Sequence, residues 1–308
     1  MKCVLGFDGG GTKTECVALS EAGAILARGR GPASNPNRVG LAGALSALSE
    51  TFDSAASAAC ISFEVSAICA GLAGTARPEN RDRALRFLKE KFPNAIVDVR
   101  TDLELVLSAM PAGPAIVLVC GTGSAAIGRD ASGMTKREGG FGPANSDEGS
   151  AYDIGRAAIA AGRSGPSSAP AEEFSRQILH HLAAASWAEV DSRAVANADA
   201  VFPRVFPVVA VAADSGNALA QSLLTSAAQK LATLALRLAE SLSFGGLPVP
   251  IAKAGGAIGR SRFFDQSIDD ELRRSVPEAK LISLKVDSAE AAAWIAFQLL
   301  QSSKGLAR

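Results

Sequence analysis

The chain has 308 residues, with 31 Lys and Arg balanced by 31 Asp and Glu, so its formal net charge is zero. With a pI near 6.8 it has no global positive field to hold a phosphodiester backbone or an anionic membrane, which excludes nucleic acid as a main partner. Its length suggests two domains at about 150 residues each, and an aromatic content of 5% leaves little for base stacking.

In chain order, a β-rich run at Cys3 to Phe7 is followed by Glu15 to Leu19 and Ala24 to Arg28 around the turn Ser20 to Gly23, which predicts a three-stranded meander. Leu41, Leu45, Leu48 and Phe52 recur at helical spacing behind the loop Gly31 to Asn37. A strand is expected over Val65 to Ala70, a helix over Pro78 to Lys91, a strand over Ala95 to Val99 and a short helix over Leu103 to Met110. A similar order restarts at Ala115, with strands at Ala115 to Cys120 and Gly123 to Arg129, a turn at Asp130 to Gly133 and a third strand. Helices from about Glu148, Glu172 and Val205 follow, then a long one over Ser215 to Ser243. Strand Pro250 to Ala254, a helix, strand Leu281 to Leu284 and a last helix from Asp287 complete the series. The reading is an α/β unit used twice, with Pro111 to Pro114 as the linker. The first domain spans 1–111, the second spans 112–287 with a helical insertion, and the final helix, about 288–304, packs back on the first.

The longest apolar runs, Ala115 to Cys120 and Val205 to Ala213, are far shorter than the roughly 18 residues of a membrane span. The start turns glycine-rich too early for a signal-peptide core, so a cytoplasmic protein is expected. Five cysteines, at 3, 16, 60, 69 and 120, are scattered without a CxxC pair. They suit buried reduced thiols better than disulfides or a zinc site.

Three glycine turns carry the chemistry. Gly6 to Thr14 runs through Asp8, Gly9, Gly10, Gly11, Thr12 and Lys13 between two strands, so backbone N–H groups converge on an anion and the hydroxyls of Thr12 and Thr14 add donors. It is not a P-loop, because Lys would have to stand at Thr12 and no helix follows. Gly121, Thr122, Gly123 and Ser124 occupy the same place in the second unit, and a strand follows where a dinucleotide fingerprint would need a helix. Facing each other across a cleft, the two turns would cradle a polyphosphate. Gly255 and Gly256, after the strand ending at Ala254, suit a close-approach turn against a nucleoside.

Asp102 ends a strand as Arg-Thr-Asp-Leu, which suits either a helix cap or a general base in the crevice where open α/β sheets place ligands. Asp8 would then anchor Mg²⁺. Asp98, Glu104 and Asp130 have no such setting and read as solvated. Gly139 to Ser150, with Asn145, Asp147 and Glu148, is too glycine-dense for a cap alone and suits sugar hydroxyls, as does Ser34-Asn35 in its Pro-flanked loop. His180 and His181 are adjacent on a helix and receive no role.

With Phe7 to Thr12, Ser34-Asn35, Thr101-Asp102, Cys120 to Ser124, Gly139 to Gly142, Asp147 to Ser150 and Ala254 to Gly256 in this order, nearly the whole chain resembles the actin-like ATPase and sugar kinase superfamily. Within it, the chain is most similar to the N-acetylglucosamine kinase and BadF/BadG-type branch. The resemblance implies two ribonuclease-H-like domains with a central cleft and transfer of the ATP γ-phosphoryl group to the 6-hydroxyl of an amino sugar, in a homodimer. It implies ATP contacts at Gly10, Gly11, Thr12, Lys13, Gly121, Thr122, Gly123, Ser124, Gly255 and Gly256, and Mg²⁺ at Asp8. It makes Asp102 the general base and places the sugar at Asn35, Gly74, Thr75, Gly140, Phe141 and Asp147.

Two positions depart from the family pattern. Phe141 stands where eukaryotic N-acetylglucosamine kinases look to have Trp in Gly-Gly-Trp-Gly, and Ala125 where they have Asn after Gly-Thr-Gly-Ser. These open the acceptor to N-acetylglucosamine, glucosamine or another hexose derivative. A second reading is an ATPase activator of a 2-hydroxyacyl-CoA or benzoyl-CoA type enzyme, which would need cysteines placed for a shared cluster. A third is a sugar or nucleotide sensor.

Overall fold

A computed structural model describes residues 1–59, 62–142, 146–164, 169–242, 244, 248–284 and 287–306. It divides into two compact units, Met1–Pro111 with Leu284–Arg308, and Ala112–Ser283.

In the first unit, β1 (Lys2–Gly9), β2 (Thr14–Ser20) and β3 (Ile25–Gly31) form an antiparallel meander, and β4 (Glu64–Leu72) and β5 (Ile96–Thr101) extend it in parallel. The sheet order is β3-β2-β1-β4-β5. Its helices are α1 (Pro36–Ala59), α2 (Pro78–Lys91) and α3 (Asp102–Ser108). Alternation along β1 explains its two buried faces. Cys3, Leu5 and Phe7 join the core that holds Leu48, Ala55, Ala84 and Leu88 of α1 and α2. Val4 faces the other way, onto Ala289, Ala292, Ala293 and Ala296 of the last helix. On that side Gly6 is obligatory, because a Cβ there would lie 2.1 Å from Ala293 N and 2.3 Å from Ala289 O.

The second unit repeats the plan. Strands β6 (Ala115–Cys120), β7 (Ser124–Arg129) and β8 (Thr135–Gly139) form the meander, with β9 (Val249–Ala254) and β10 (Ala279–Ile282) parallel to β6. The order is β10-β9-β6-β7-β8, the ribonuclease-H-like topology expected twice. Helices α4 (Ala151–Arg163), α5 (Ala169–His181), α6 (Trp187–Asp214), α7 (Ala218–Ser241) and α8 (Arg262–Ser275) belong to this unit, and α9 (Ser288–Leu306) returns to the first. The α7 stripe of Leu224, Leu231, Leu234 and Leu238 is buried.

Several expectations need correction. The helix placed from Val205 begins at Trp187, where Ser186 accepts the Glu189 N–H. By length and composition alone, α6 is the one helix among the described residues long and apolar enough to cross a membrane. Asn197 breaks α6 at φ −159 and ψ 86, and Val201, Val205, Phe206 and Val209 lie in the unit's own core. Asp98, Glu104 and Asp130 are not simply solvated. Asp98 pairs with Arg100 at 2.7 Å, and Glu104 accepts the Thr101 N–H at 2.7 Å. Asp130 closes the β7–β8 turn by accepting from Ser132 N at 2.8 Å and Met134 N at 3.0 Å. Cys3, Cys16, Cys69 and Cys120 are free and buried, and burial pushes the thiols of Cys3, Cys69 and Cys120 up to about 12. Cys60 and the loop positions Pro143, Ala144 and Asn145 lie outside the described residues.

Candidate functional site

The glycine turn of the first unit is held by its carbonyls. Gly10 N–H closes the turn onto Lys13 O at 2.9 Å, and Gly10 O accepts Ser34 N–H at 3.1 Å and Asn35 N–H at 3.2 Å. Gly11 O accepts Nη1–H of Arg38 at 2.9 Å. The Ser34–Asn35 loop is therefore docked on this turn. With the carbonyls occupied, the N–H groups of Gly11, Thr12 and Lys13 make no hydrogen bond among the described residues, which is the arrangement an anion needs. Thr14 is not a phosphate donor. It is fully buried, with Oγ1 2.6 Å from Pro32 O and 2.8 Å from Ser34 Oγ. Lys13 Nζ pairs with Glu15 at 2.7 Å.

Beside this turn lies Asp8, near the end of β1. Burial, then the carboxylates of Asp102 and Glu15, push its carboxyl up to about 7, against a smaller opposing pull from Lys13. Asp102 opens α3 without capping it. Thr101 is the N-cap, accepting Glu104 N–H at 3.1 Å while Glu104 reaches back to the Thr101 N–H, so a complete capping box frees Asp102 from that duty. Two carboxylates close enough to raise one another's proton affinity fit proton transfer or a hard cation. Asn35 Oδ1 accepts Asn37 N–H at 3.0 Å and lies 2.8 Å from where a Cβ of Gly74 would stand. Gly74, at φ 85, thus makes room for it. Thr75 is buried, its Oγ1 2.6 Å from Leu72 O and 3.0 Å from Arg100 O. It ties the ends of β4 and β5 together and has no free hydroxyl to offer a sugar.

The second unit's turn uses the same device with other parts. Gly121 N–H bonds Gly123 O at 2.9 Å, while Gly121 O accepts Ala151 N–H at 2.9 Å and Thr122 O accepts Tyr152 N–H at 3.2 Å. The first amides of α4 are spent on the turn, and the N–H groups of Thr122 and Gly123 make no hydrogen bond among the described residues. Ser124 departs from its expected role, because its hydroxyl donates to Glu148 O at 2.8 Å and its N–H to Asp147. Gly255, at φ 103, lies against the end of β6, where a Cβ would stand 2.3 Å from Cys120 O. Gly256 N is 3.5 Å from the Cβ position of Gly121. Two of the turns expected to meet the nucleotide are therefore neighbours in one unit.

Asp147 packs on this turn, its Oδ2 2.8 Å from the Cβ position of Gly123. Burial raises its carboxyl, against the N–H groups of Ser124 and Gly142. Gly140 is exposed at φ 74. Phe141 is 59% exposed with the Arg137 guanidinium 4.2 Å from its ring centre. Ala125 is buried in β7, so its methyl group serves the sheet. His180 and His181 line an open groove of about 610 Å³ with Arg176, Pro207 and Val208. Ser150, at the end of the Asp147 to Ser150 motif, caps α4 by accepting Asp153 N–H; missed by motif reading were Arg38 and Asp153, which Lys230 and Arg156 pair at 2.7 and 2.8 Å.

The model of the BadF/BadG/BcrA/BcrD ATPase family matches residues 5–296. The chain is 30% identical to the N-acetylmuramic acid/N-acetylglucosamine kinase of Clostridium acetobutylicum, over 96% of this chain and 98% of that one. It is 26% identical to the N-acetyl-D-glucosamine kinase of Dictyostelium discoideum, over 95% and 97%. Its fold is similar to the solved structure of a candidate N-acetylglucosamine kinase from Chromobacterium violaceum, with a TM-score of 0.76, 25% identity and coverage of 96% and 99%.

Proposed function

This chain belongs to the BadF/BadG/BcrA/BcrD ATPase family, and from that premise we propose that it is an ATP-dependent amino-sugar kinase acting on the 6-hydroxyl of N-acetylglucosamine or glucosamine. One observation carries the reading: an amide-presenting glycine turn lies beside the carboxylates of Asp8 and Asp102, and the latter is relieved of capping by Thr101. The names of the two curated relatives support the choice of an amino sugar.

In this reading Asp102 accepts the proton of the attacking hydroxyl. The amides of Gly11, Thr12, Thr122 and Gly123 hold phosphate oxygens, and Gly255 and Gly256 leave room for the nucleoside. Asn35, Gly140 and Asp147 orient the sugar. Asp8 would hold Mg²⁺, a cation that takes one or two protein carboxylates together with phosphate oxygens and water. The residues fit it, because the burial and like charges that raise Asp8 are the conditions a divalent cation relieves. When bound, Mg²⁺ neutralises charge on the phosphates.

An activator of another enzyme would present cysteines to a shared cluster, whereas the four described ones are buried. The test is ADP release with Mg·ATP against glucosamine, N-acetylglucosamine, N-acetylmuramic acid, N-acetylmannosamine and glucose. Sugar-dependent turnover with an amino sugar is expected, and none with any of them overturns the reading.

A further inference from the structure

The first glycine turn has a cation that its motif does not contain. Arg38 sits on the short helical turn 36–39, which Gly40 separates from the rest of α1 at φ 71 and ψ 165, a conformation open essentially to glycine alone. Nothing lies within 4 Å of a Cβ at Gly40, so the break is not forced by crowding. Its effect is to aim the turn and its arginine at Gly10–Lys13. The Arg38 side chain packs against Gly11, with Nη1 3.0 Å and Cδ 3.2 Å from the Cβ position, and donates to Gly11 O at 2.9 Å.

The surrounding charges set Arg38 apart. Lys13 is paired with Glu15 at 2.7 Å, and Arg28 is paired with Asp287 and Glu290. Arg38 has no ion pair among the described residues, and one bond to a carbonyl leaves most of its N–H donors unspent. Asp8, Asp102, Glu15 and Asp287 make this region rich in carboxylate. A polyphosphate approaching the amides of Gly11, Thr12 and Lys13 therefore needs a positive partner, and a planar guanidinium matches a phosphate's geometry better than an ammonium does.

We propose that Arg38, delivered by the break at Gly40, binds the terminal phosphate of the bound nucleotide. The choice of the terminal phosphate rests on the kinase reading. The segment that carries Arg38 begins at Asn35, assigned to the sugar, and the phosphate nearest the acceptor is the one transferred. The role has two parts: one N–H keeps the Gly11 carbonyl turned away from the ligand, and the rest of the fork faces it.

The experiment uses full-length protein with Arg38→Ala and Arg38→Lys, reading Mg·ATP and Mg·ADP affinity by calorimetry alongside thermal melting. Arg38→Ala should weaken ATP by about tenfold, the scale of one charge-assisted hydrogen bond, while ADP, which lacks the terminal phosphate and feels only the lost brace on Gly11, weakens markedly less and the melting temperature stays as in the wild type. Arg38→Lys should fall between, because it restores charge without the fork. Unchanged ATP affinity overturns the proposal. So does an equal loss for ATP and ADP, the result expected if Arg38 only braces Gly11. Wild-type protein that binds ATP yet phosphorylates no sugar would sink the kinase reading, and the ATP to ADP comparison would still decide Arg38.

Discussion

The two glycine turns present free amides by the same means and differ in what holds their carbonyls. In the first unit the donors are a loop and a side chain, Ser34, Asn35 and Arg38, and the carboxylates of Asp8 and Asp102 stand beside them. In the second, the donors are the first amides of α4, at Ala151 and Tyr152. The acid there, Asp147, accepts the N–H groups of Ser124 and Gly142. A turn becomes an anion site when its carbonyls are occupied elsewhere, whichever groups occupy them. What distinguishes the units is the company each turn keeps: the coupled carboxylates of Asp8 and Asp102 in the first, and the first turn of α4 in the second. On the proposed reading, changes at the first unit's carboxylates should act on turnover, and changes at the α4 frame and the Gly255 turn of the second on nucleotide affinity.

The widest test of that division is Asp102→Asn. It should lower kcat by about 10²- to 10⁴-fold, the usual range for a general base, with ATP affinity unchanged by calorimetry. A variant with full turnover removes the chemical half of the comparison. Next is Gly255→Ala, whose methyl group meets Cys120 O at 2.3 Å with φ at 103. Displacing that turn should raise the KM for ATP on the order of tenfold to a hundredfold, with a smaller change in kcat. A fall in kcat alone would place chemistry in the second unit.

A third test uses pH. Because Asp8 is held at about 7 against an ordinary 3.8, the native state binds its proton more tightly than the unfolded chain does. Without metal, stability falls as pH rises across that window, and the full penalty is present above it. Asp8→Asn should raise the melting temperature at pH 8 by several degrees, since a shift from 3.8 to about 7 corresponds to a penalty on the order of 4 kcal/mol, and little at pH 4. Mg²⁺ must displace the same proton, so its binding should weaken by about tenfold per pH unit below 7. A flat profile breaks the assignment. The smallest effect belongs to Ser150→Ala, the cap of α4. Loss of about 1 kcal/mol should lower the melting temperature by about 2–4 °C and loosen ATP slightly through Gly121 and Thr122. No change in ATP affinity would separate the α4 frame from the grip.

Much of this was legible in the chain because it is local. The doubled strand order follows from apolar runs of the right length, and Pro78–Lys91 and Ala115–Cys120 were located to the residue. The start of α6 also had a local signal. Ser186 accepts Glu189 N–H at 3.3 Å and Glu189 accepts Ala185 N–H at 2.9 Å, the spacing of a capping box, as at Thr101 and Glu104. Weak apolar periodicity after Trp187 and the prolines at 203 and 207 inside α6 hid it. In the site, the amide-presenting turns could be read from their glycines. The bonds of Thr14 to Ser34 and of Arg38 to Gly11 could not, because they join residues 20 and 27 positions apart and no local pattern encodes them. Ser124 misled for the opposite reason: its motif is local, while the Glu148 carbonyl that takes its hydroxyl is 24 positions away.

The helix α9 sets a timetable for the growing chain. The second unit is continuous, from Ala112 to Ser283, whereas the first is completed only by Leu284–Arg308. Until that last stretch leaves the ribosome, the β1 face at Val4 and Gly6 lacks the alanines of α9 that cover it. An early Met1–Pro111 segment must wait with one side of its sheet bare. The second unit has all its residues before the first does, so the unit that begins later is the earlier one to be complete in sequence.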